Sequence, residues 1–264
     1  MPSFKKIYQT EALKGLDRLS EISILAKNDV EHLPQLVKKY LTFCGCIGKP
    51  RVQNFHVEFI GRMKQKPNGN WMSIDASQYS FYDVHTRLFY IKSKLFCIPF
   101  DGLHLYVDGN ATMNIKLVSL IPIVNSFGPV MDKSEMVTFF NDMCVMAPAT
   151  LIDSSITWEE IDHLTIKGKF TNKGTTITAI LYFNEEGALV NFESNDRSKY
   201  VDNNHFVNYK WSTPIKEYNE INGHRIPVYA EAIWHEQNGD FIYAQFNLKM
   251  IEYNVRKYSL INHI

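Results

Sequence analysis

Glu135 is the carboxylate with the clearest setting in this chain, four residues into a segment that opens at Asp132. An Asp–x–x–Glu opening ahead of an apolar run reads as a capping box, in which Glu135 satisfies free N–H groups and Asp132 is the N-cap. The alternative puts Glu135 under a sheet as a buried acid able to exchange protons with an imidazole. Nine histidines are available for such a pairing. His56 with Glu58, His235 with Glu231, and His104 with Asp108 each share a strand face by their even spacing. A zinc or iron site needs three or four such groups to converge, and pairs of this kind arise by chance in any β protein. The expectation is no metal and no cofactor.

Other chemistries lack their motifs. There is no G-x-S-x-G elbow, no G-x-x-x-x-G-K loop, no G-x-G-x-x-G and no H-E-x-x-H. Cys44-Gly-Cys46 has no second pair to complete a metal site, and Cys97 and Cys144 sit in apolar stretches and read as core. No catalytic residue is assigned. What remains is a set of aromatics on alternating strand positions, Trp71, Tyr79, Phe81, Trp158, Tyr229 and Trp234. Together with Glu135 they are the candidate ligand-binding residues, although aromatics so placed also serve as plain core. Arg62 and Arg225 are candidates to meet an anionic head group at a rim, or edge charges that discourage aggregation.

The elements that must position these residues follow from periodicity. Ala12, Leu13, Leu16, Leu19 and Ile22 recur at helical spacing within 11–25, with Gly15 weakening that helix. Leu33, Leu36, Val37, Tyr40, Leu41 and Cys44 form a second helical stripe, entered at Pro34 and stopped at Gly45. That stripe is expected to pack on a sheet; docking on a membrane surface is the alternative. After Pro50 the period becomes two. Pro67-Asn68-Gly69-Asn70, Asp108-Gly109, Asn222-Gly223 and Asn238-Gly239 mark turns between about ten strands. A central helix follows Gly128-Pro129, and the polar stretch 200–208 reads as a loop.

Composition limits the partners. Lys and Arg total 28 and Asp and Glu total 28, so no global positive charge asks for nucleic acid. Hydrophobic residues make up 45% and support a substantial core. No signal-peptide apolar region opens the sequence, and no run approaches the roughly 18 apolar residues of a membrane span. The expected location is cytoplasmic or membrane-peripheral.

An ordered series of short motifs adds to this reading. Leu33-Pro34-x-x-Val37-x-x-Tyr40-Leu41-x-x-x-Gly45-x-x-Gly48-x-Pro50-Arg51 is followed by Gln78-Tyr79, Asp108-Gly109, Leu120-Ile-Pro-Ile-Val124, Gly128-Pro129 and Glu135. Ala147-Pro148-Ala149-Thr150-Leu151, Trp158, Gly223-x-Arg225-Ile226-Pro227 and Ala232-x-Trp234 complete it. The series resembles a bacterial family of unknown function. Met146 stands where that family has an aromatic. The resemblance implies an architecture like the open β half-barrel of periplasmic lipoprotein carriers, and it carries no activity to transfer.

The expectations are therefore a mainly β (α+β) fold. One large curved antiparallel sheet forms an open half-barrel, with N-terminal helices and one central helix on or in its concave face. Residues 1–32 are a helical extension, 33–254 the half-barrel domain and 255–264 a tail. The expected function is non-enzymatic binding of an apolar or amphipathic, lipid-like ligand. The alternatives are an interaction module with a plugged core, or an acid–base enzyme using Glu135.

Overall fold

The computed structural model describes residues 2–95, 98–118, 120–202 and 205–259. Three α-helices are present among the described residues, α1 (Phe4–Leu16), α2 (Gln35–Phe43) and α3 (Pro129–Val145). The first six strands are β1 (Asn54–Met63), β2 (Met72–Phe81), β3 (Thr86–Leu95), β4 (Ile98–Val107), β5 (Asn110–Leu117) and β6 (Ile121–Phe127). After α3 come β7 (Ile156–Asp162), β8 (Thr165–Asn172), β9 (Thr175–Phe183), β10 (Leu189–Ser194), β11 (Ser198–Asp202) and β12 (His205–Asn208). The last are β13 (Lys210–Ser212), β14 (Ile215–Ile221), β15 (His224–Glu236) and β16 (Gly239–Tyr253).

One antiparallel sheet takes the order β6-β5-β4-β3-β2-β1-β16-β15-β13-β10-β9-β8-β7, with β14 beside β15 and β11–β12 paired apart. The pairing of β1 with β16 joins the two meanders, and β6 and β7 stay unpaired with each other, so the curved sheet is not closed. A sheet this wide curls because each strand adds twist. The turns do what their residues require. Asn222 and Gly223 both take positive φ, as do Asp108 and Gly109, the geometry of a two-residue hairpin turn.

α2 and α3 lie with the main core on the concave face. The stripe Leu33, Leu36, Val37, Tyr40, Leu41 and Cys44 is buried there, and the Tyr40 hydroxyl donates to the Cys144 carbonyl at 2.7 Å. This burial removes the α2 stripe as a membrane-docking face. Gly45, at φ 67°, closes the helix as expected. Cys44, Cys46 and Cys144 are buried free thiols, and burial pushes Cys46 up to about 12. Cys97 lies outside the described residues.

α1 differs from expectation. It begins at Phe4, not Glu11, and packs on the convex face, where Phe4, Tyr8, Ala12 and Leu16 meet Tyr79, Phe81, Leu88, Tyr90 and Leu103. These four buried residues recur every fourth position, so all face the sheet. Gly15 belongs to this contact. A Cβ there would sit 2.3 to 2.6 Å from three carbons of the Phe81 ring. Phe81 is fully buried and stacked on Tyr79, so it has little room to yield. Gly15→Val is expected to cost about 2 kcal/mol or more through overpacking. Urea unfolding checks this, and a midpoint equal to wild type would mean that α1 does not seat on Phe81 as described.

The described residues of 200–208 also depart from the polar-loop expectation, and 203–204 lie outside the described residues. β11 and β12 form a hairpin in which Tyr200 meets Phe206 edge to face, with ring centroids 5.6 Å apart. No helix is long and apolar enough to cross a membrane among the described residues.

Candidate functional site

Glu135 does not cap its helix. Gly128, at φ 99°, is the N-cap and Pro129 opens α3, so the helix starts one turn before the expected Asp132. Proline suits the first helical position because its missing N–H is not needed there. Asp132 turns outward to accept the Ala111 N–H at 2.6 Å. Glu135 then points from the concave side of α3 into the sheet and is 2% exposed.

Its partners come from β3 and β4. Arg87 Nη1 donates to Glu135 Oε2 at 3.1 Å, and Arg87 Nε donates to Asp142 Oδ2 at 2.7 Å. Gln78 Nε2 donates to the same Asp142 oxygen at 2.7 Å. His104 Nδ1 lies 3.5 Å from Glu135 Oε1. Burial alone would raise Glu135. The His104 hydrogen bond and the charges of Arg87 and Arg197 outweigh it and bring the carboxyl down to about 2. Asp142 moves the other way, pushed up by burial against the pull of Arg87. Two carboxylates share one guanidinium, and Glu135, with more cations around it, is the one whose anion is the more strongly favoured. An acid so strongly stabilised as its anion is a weak proton acceptor near neutrality.

A second cation approaches from the segment before β11. Arg197 donates to Thr138 Oγ1 at 3.0 Å and to the Tyr243 hydroxyl at 3.3 Å. Its guanidinium lies 4.5 Å from the Trp211 ring centroid and 5.0 Å from that of Trp234. Stacking of this kind suits the planar, weakly hydrated guanidinium.

Beyond this charged group the concave face turns apolar. Phe89 lies opposite His104, which lies opposite Met113, and the row below is Ile91, Gly102 and Ile115. Directly paired residues share a face. Ile74, Ala76, Phe89 and Ile91 form a cluster separate from the main core, with Phe59, Met63 and Phe246 packed against it. Phe59, Phe100, Met113, Ile115 and Phe246 are all half-exposed. α3 lies toward the other end, where Phe139 packs on Tyr82, His85 and Tyr106. The result is an apolar trough with a buried ionic group at its head. The Ser126 hydroxyl, opposite Met113, is buried and finds no hydrogen-bond partner among the described residues.

The seven expected site residues do not share one pocket. Glu135, Trp158 and Trp234 are concave. Trp158 packs on Phe140, away from the trough, and Trp234 flanks Arg197. Tyr79 and Phe81 are on the convex face under α1. Tyr229 is also convex, donating to Glu231 Oε1 at 2.8 Å, and Trp71 lies at the rim under Arg62. Alternation says which residues share a face but not which face is concave. Arg62 donates to Gln245 Oε1 at 2.6 Å, and Arg225 lies over the Phe43 ring.

The expected histidine–acid pairs are split as well. His56 is buried with Ser77 and Ser259 beside the Tyr79 ring, and burial lowers it to about 4. His235 binds Asp240, while Glu231 binds Lys216. His104 turns to Glu135 and Asp108 to Lys173. No group of three metal-ligating side chains converges among the described residues. Arg87, Arg197, Phe89 and Phe246 were missed from sequence. The one local signal was Arg87 itself, a charge on the alternation that carries Phe89 and Ile91.

Several solved structures match this chain along most of its length. A DUF1329 family protein from Desulfovibrio piger matches at 12% identity and TM-score 0.45, covering 89% of this chain and 96% of that one. A LolA superfamily protein from Nitrosomonas europaea matches at 11% identity and TM-score 0.45, over 88% and 95%. A putative outer membrane lipoprotein-sorting protein domain from Vibrio parahaemolyticus matches at 10% identity and TM-score 0.43, over 78% and 87%. No curated protein matches the chain. A family model does match, over residues 23–246, which is most of the sequence and all of the site; the chain belongs to the family of unknown function DUF6544.

Proposed function

We propose that the protein binds an amphipathic small molecule, with its apolar part along the trough and its polar end toward the Glu135 group. The observation that carries this reading is the half-exposed apolar row on the lower concave face. Side chains such as Phe246, Met113 and Ile115 stay half-exposed there, although the same sheet buries its apolar residues under α3. Binding sites for such ligands are concave, mostly apolar and carry a few polar groups that fix orientation. His104, with its side chain 19% exposed, is more open to a ligand than Arg87, Glu135 or Asp142. The unpartnered Ser126 hydroxyl adds a second polar contact on the same face.

Native mass spectrometry of protein purified without detergent tests the reading, followed by extraction into organic solvent and offering of fatty acids and lysophospholipids. A reproducible added mass that extracts into solvent is the expected result. Protein that carries nothing and takes up none of the offered amphiphiles would favour the plugged interaction module.

A further inference from the structure

Twelve large apolar residues are exposed among the described residues, and five of them lie at two neighbouring strand ends: Ile98, Val118, Leu120, Ile121 and Ile123. Leu120 is 77% exposed, the most of the twelve. The two regions touch, since the Val118 N–H donates to the Pro99 carbonyl at 2.8 Å and Phe100 pairs with Leu117, which pairs with Ile121. Scattered single apolar residues need no explanation, but a contiguous exposed group marks an interaction site.

The charges around this corner are one-sided. Strand register places Lys64, Lys66, Lys92, Lys94 and Lys116 at the same end of β1–β6, against Asp75 and Asp101. The chain as a whole is balanced, at 28 basic and 28 acidic residues, so the excess is local. Trp71 stands at the same rim with the Lys64 ammonium 4.9 Å from its ring centroid. Apolar tips ringed by lysines and an amphipathic tryptophan match a bilayer interface, where anionic head groups attract the cations and the apolar groups enter the acyl boundary.

We propose that this end of the sheet docks on an anionic lipid surface through Ile98, Val118, Leu120 and Ile121. The docking surface lies at the open end of the trough, where Phe100 pairs with Leu117 and Leu117 with Ile121, and needs no ligand in it. Flotation with phosphatidylcholine vesicles, with and without phosphatidylglycerol, tests it. Wild type is expected to float with the mixed vesicles and to be released by salt. Leu120→Ser with Ile121→Ser, and separately Lys66→Glu with Lys94→Glu, should each lower the bound fraction by about tenfold, given that both signals are needed for stable attachment. These positions are solvent-facing, so unchanged circular dichroism is expected. Gly102→Phe, which fills the trough, should float like wild type; its failure to float would move the attachment to the trough and overturn the proposal. Wild type that stays in solution with both vesicle types would also overturn it. So would a dimer, seen by light scattering, that the serine pair dissolves, because a second copy would then be the occupant.

Discussion

Replacing Arg87 by alanine is expected to remove about 3–5 kcal/mol of folding stability, which is the usual cost of stranding a buried carboxylate. Arg87 is the only cation within hydrogen-bond reach of both Glu135 and Asp142 among the described residues. Its loss leaves Glu135, with its side chain 2% exposed, and Asp142, with its side chain 14% exposed, without their shared cation. The thermal midpoint should fall by an amount on the order of 10 °C. Removing all the charges is a different case. Arg87→Met with Glu135→Gln and Asp142→Asn keeps most of the volume and strands no charge, so it should recover the greater part of the loss. Urea titrations of the two variants beside wild type decide the matter. An Arg87→Ala protein within about 1 kcal/mol of wild type would mean that the carboxylates find other partners or take up protons at little cost.

The same group shapes the acid side of the stability curve. Glu135 is held at about 2, below its ordinary 4.5. A carboxyl depressed in the folded state adds stability above its unfolded value and loses it as pH falls through the folded one. Its contribution is therefore full above about 4.5 and fades toward 2. Asp142, raised by burial, has the opposite sign, since its protonation in acid relieves the crowding of two anions around one guanidinium. The urea series above, repeated in acid, should show the Glu135-linked loss in wild type and not in the triple variant.

How much of this was readable beforehand divides along a physical line. Local rules worked where the local sequence decides the backbone. Asn222-Gly223 turned where positive φ was needed, and α2 ran between Pro34 and Gly45. Period-two alternation found the strands and sorted their side chains into faces. The two faces of a curved sheet are not labelled in the sequence, so Tyr79 and Phe81 were correctly grouped together but placed on the wrong side. Asp132 and Glu135 show a different failure. Their spacing is that of a capping box, yet Gly128-Pro129 begins α3 earlier and frees Glu135 for Arg87, 48 residues away in the chain. Nothing local to either residue announces that pairing. The polar composition of 200–208 likewise points to a loop, whereas 198–202 pairs with 205–208 to build β11–β12.

Filling the trough from its own wall separates binding from folding, and Gly102→Phe is the substitution suited to it. Gly102 pairs with Ile91 and Ile115, so its missing side chain would point into the trough. Its φ lies outside the left-handed range, and a Cβ there would meet only the Ile91 Cβ, at 3.7 Å, an ordinary van der Waals contact. Gly61 is the contrast on the same face, since a Cβ there would strike the Gln245 carbonyl oxygen at 2.1 Å. A phenylalanine at 102 also favours the strand more than glycine does. Stability is expected to stay within about 1 kcal/mol of wild type, or to rise. Uptake of the amphiphile identified by native mass spectrometry should fall by tenfold or more, because the ring takes the space between Ile91 and Ile115 that the apolar chain would fill. A stable Gly102→Phe protein that binds the amphiphile as well as wild type would place the ligand elsewhere on the sheet. A variant that loses uptake while keeping its unfolding midpoint ties binding to the lower concave face, and no change in the Arg87 group would be needed to explain it.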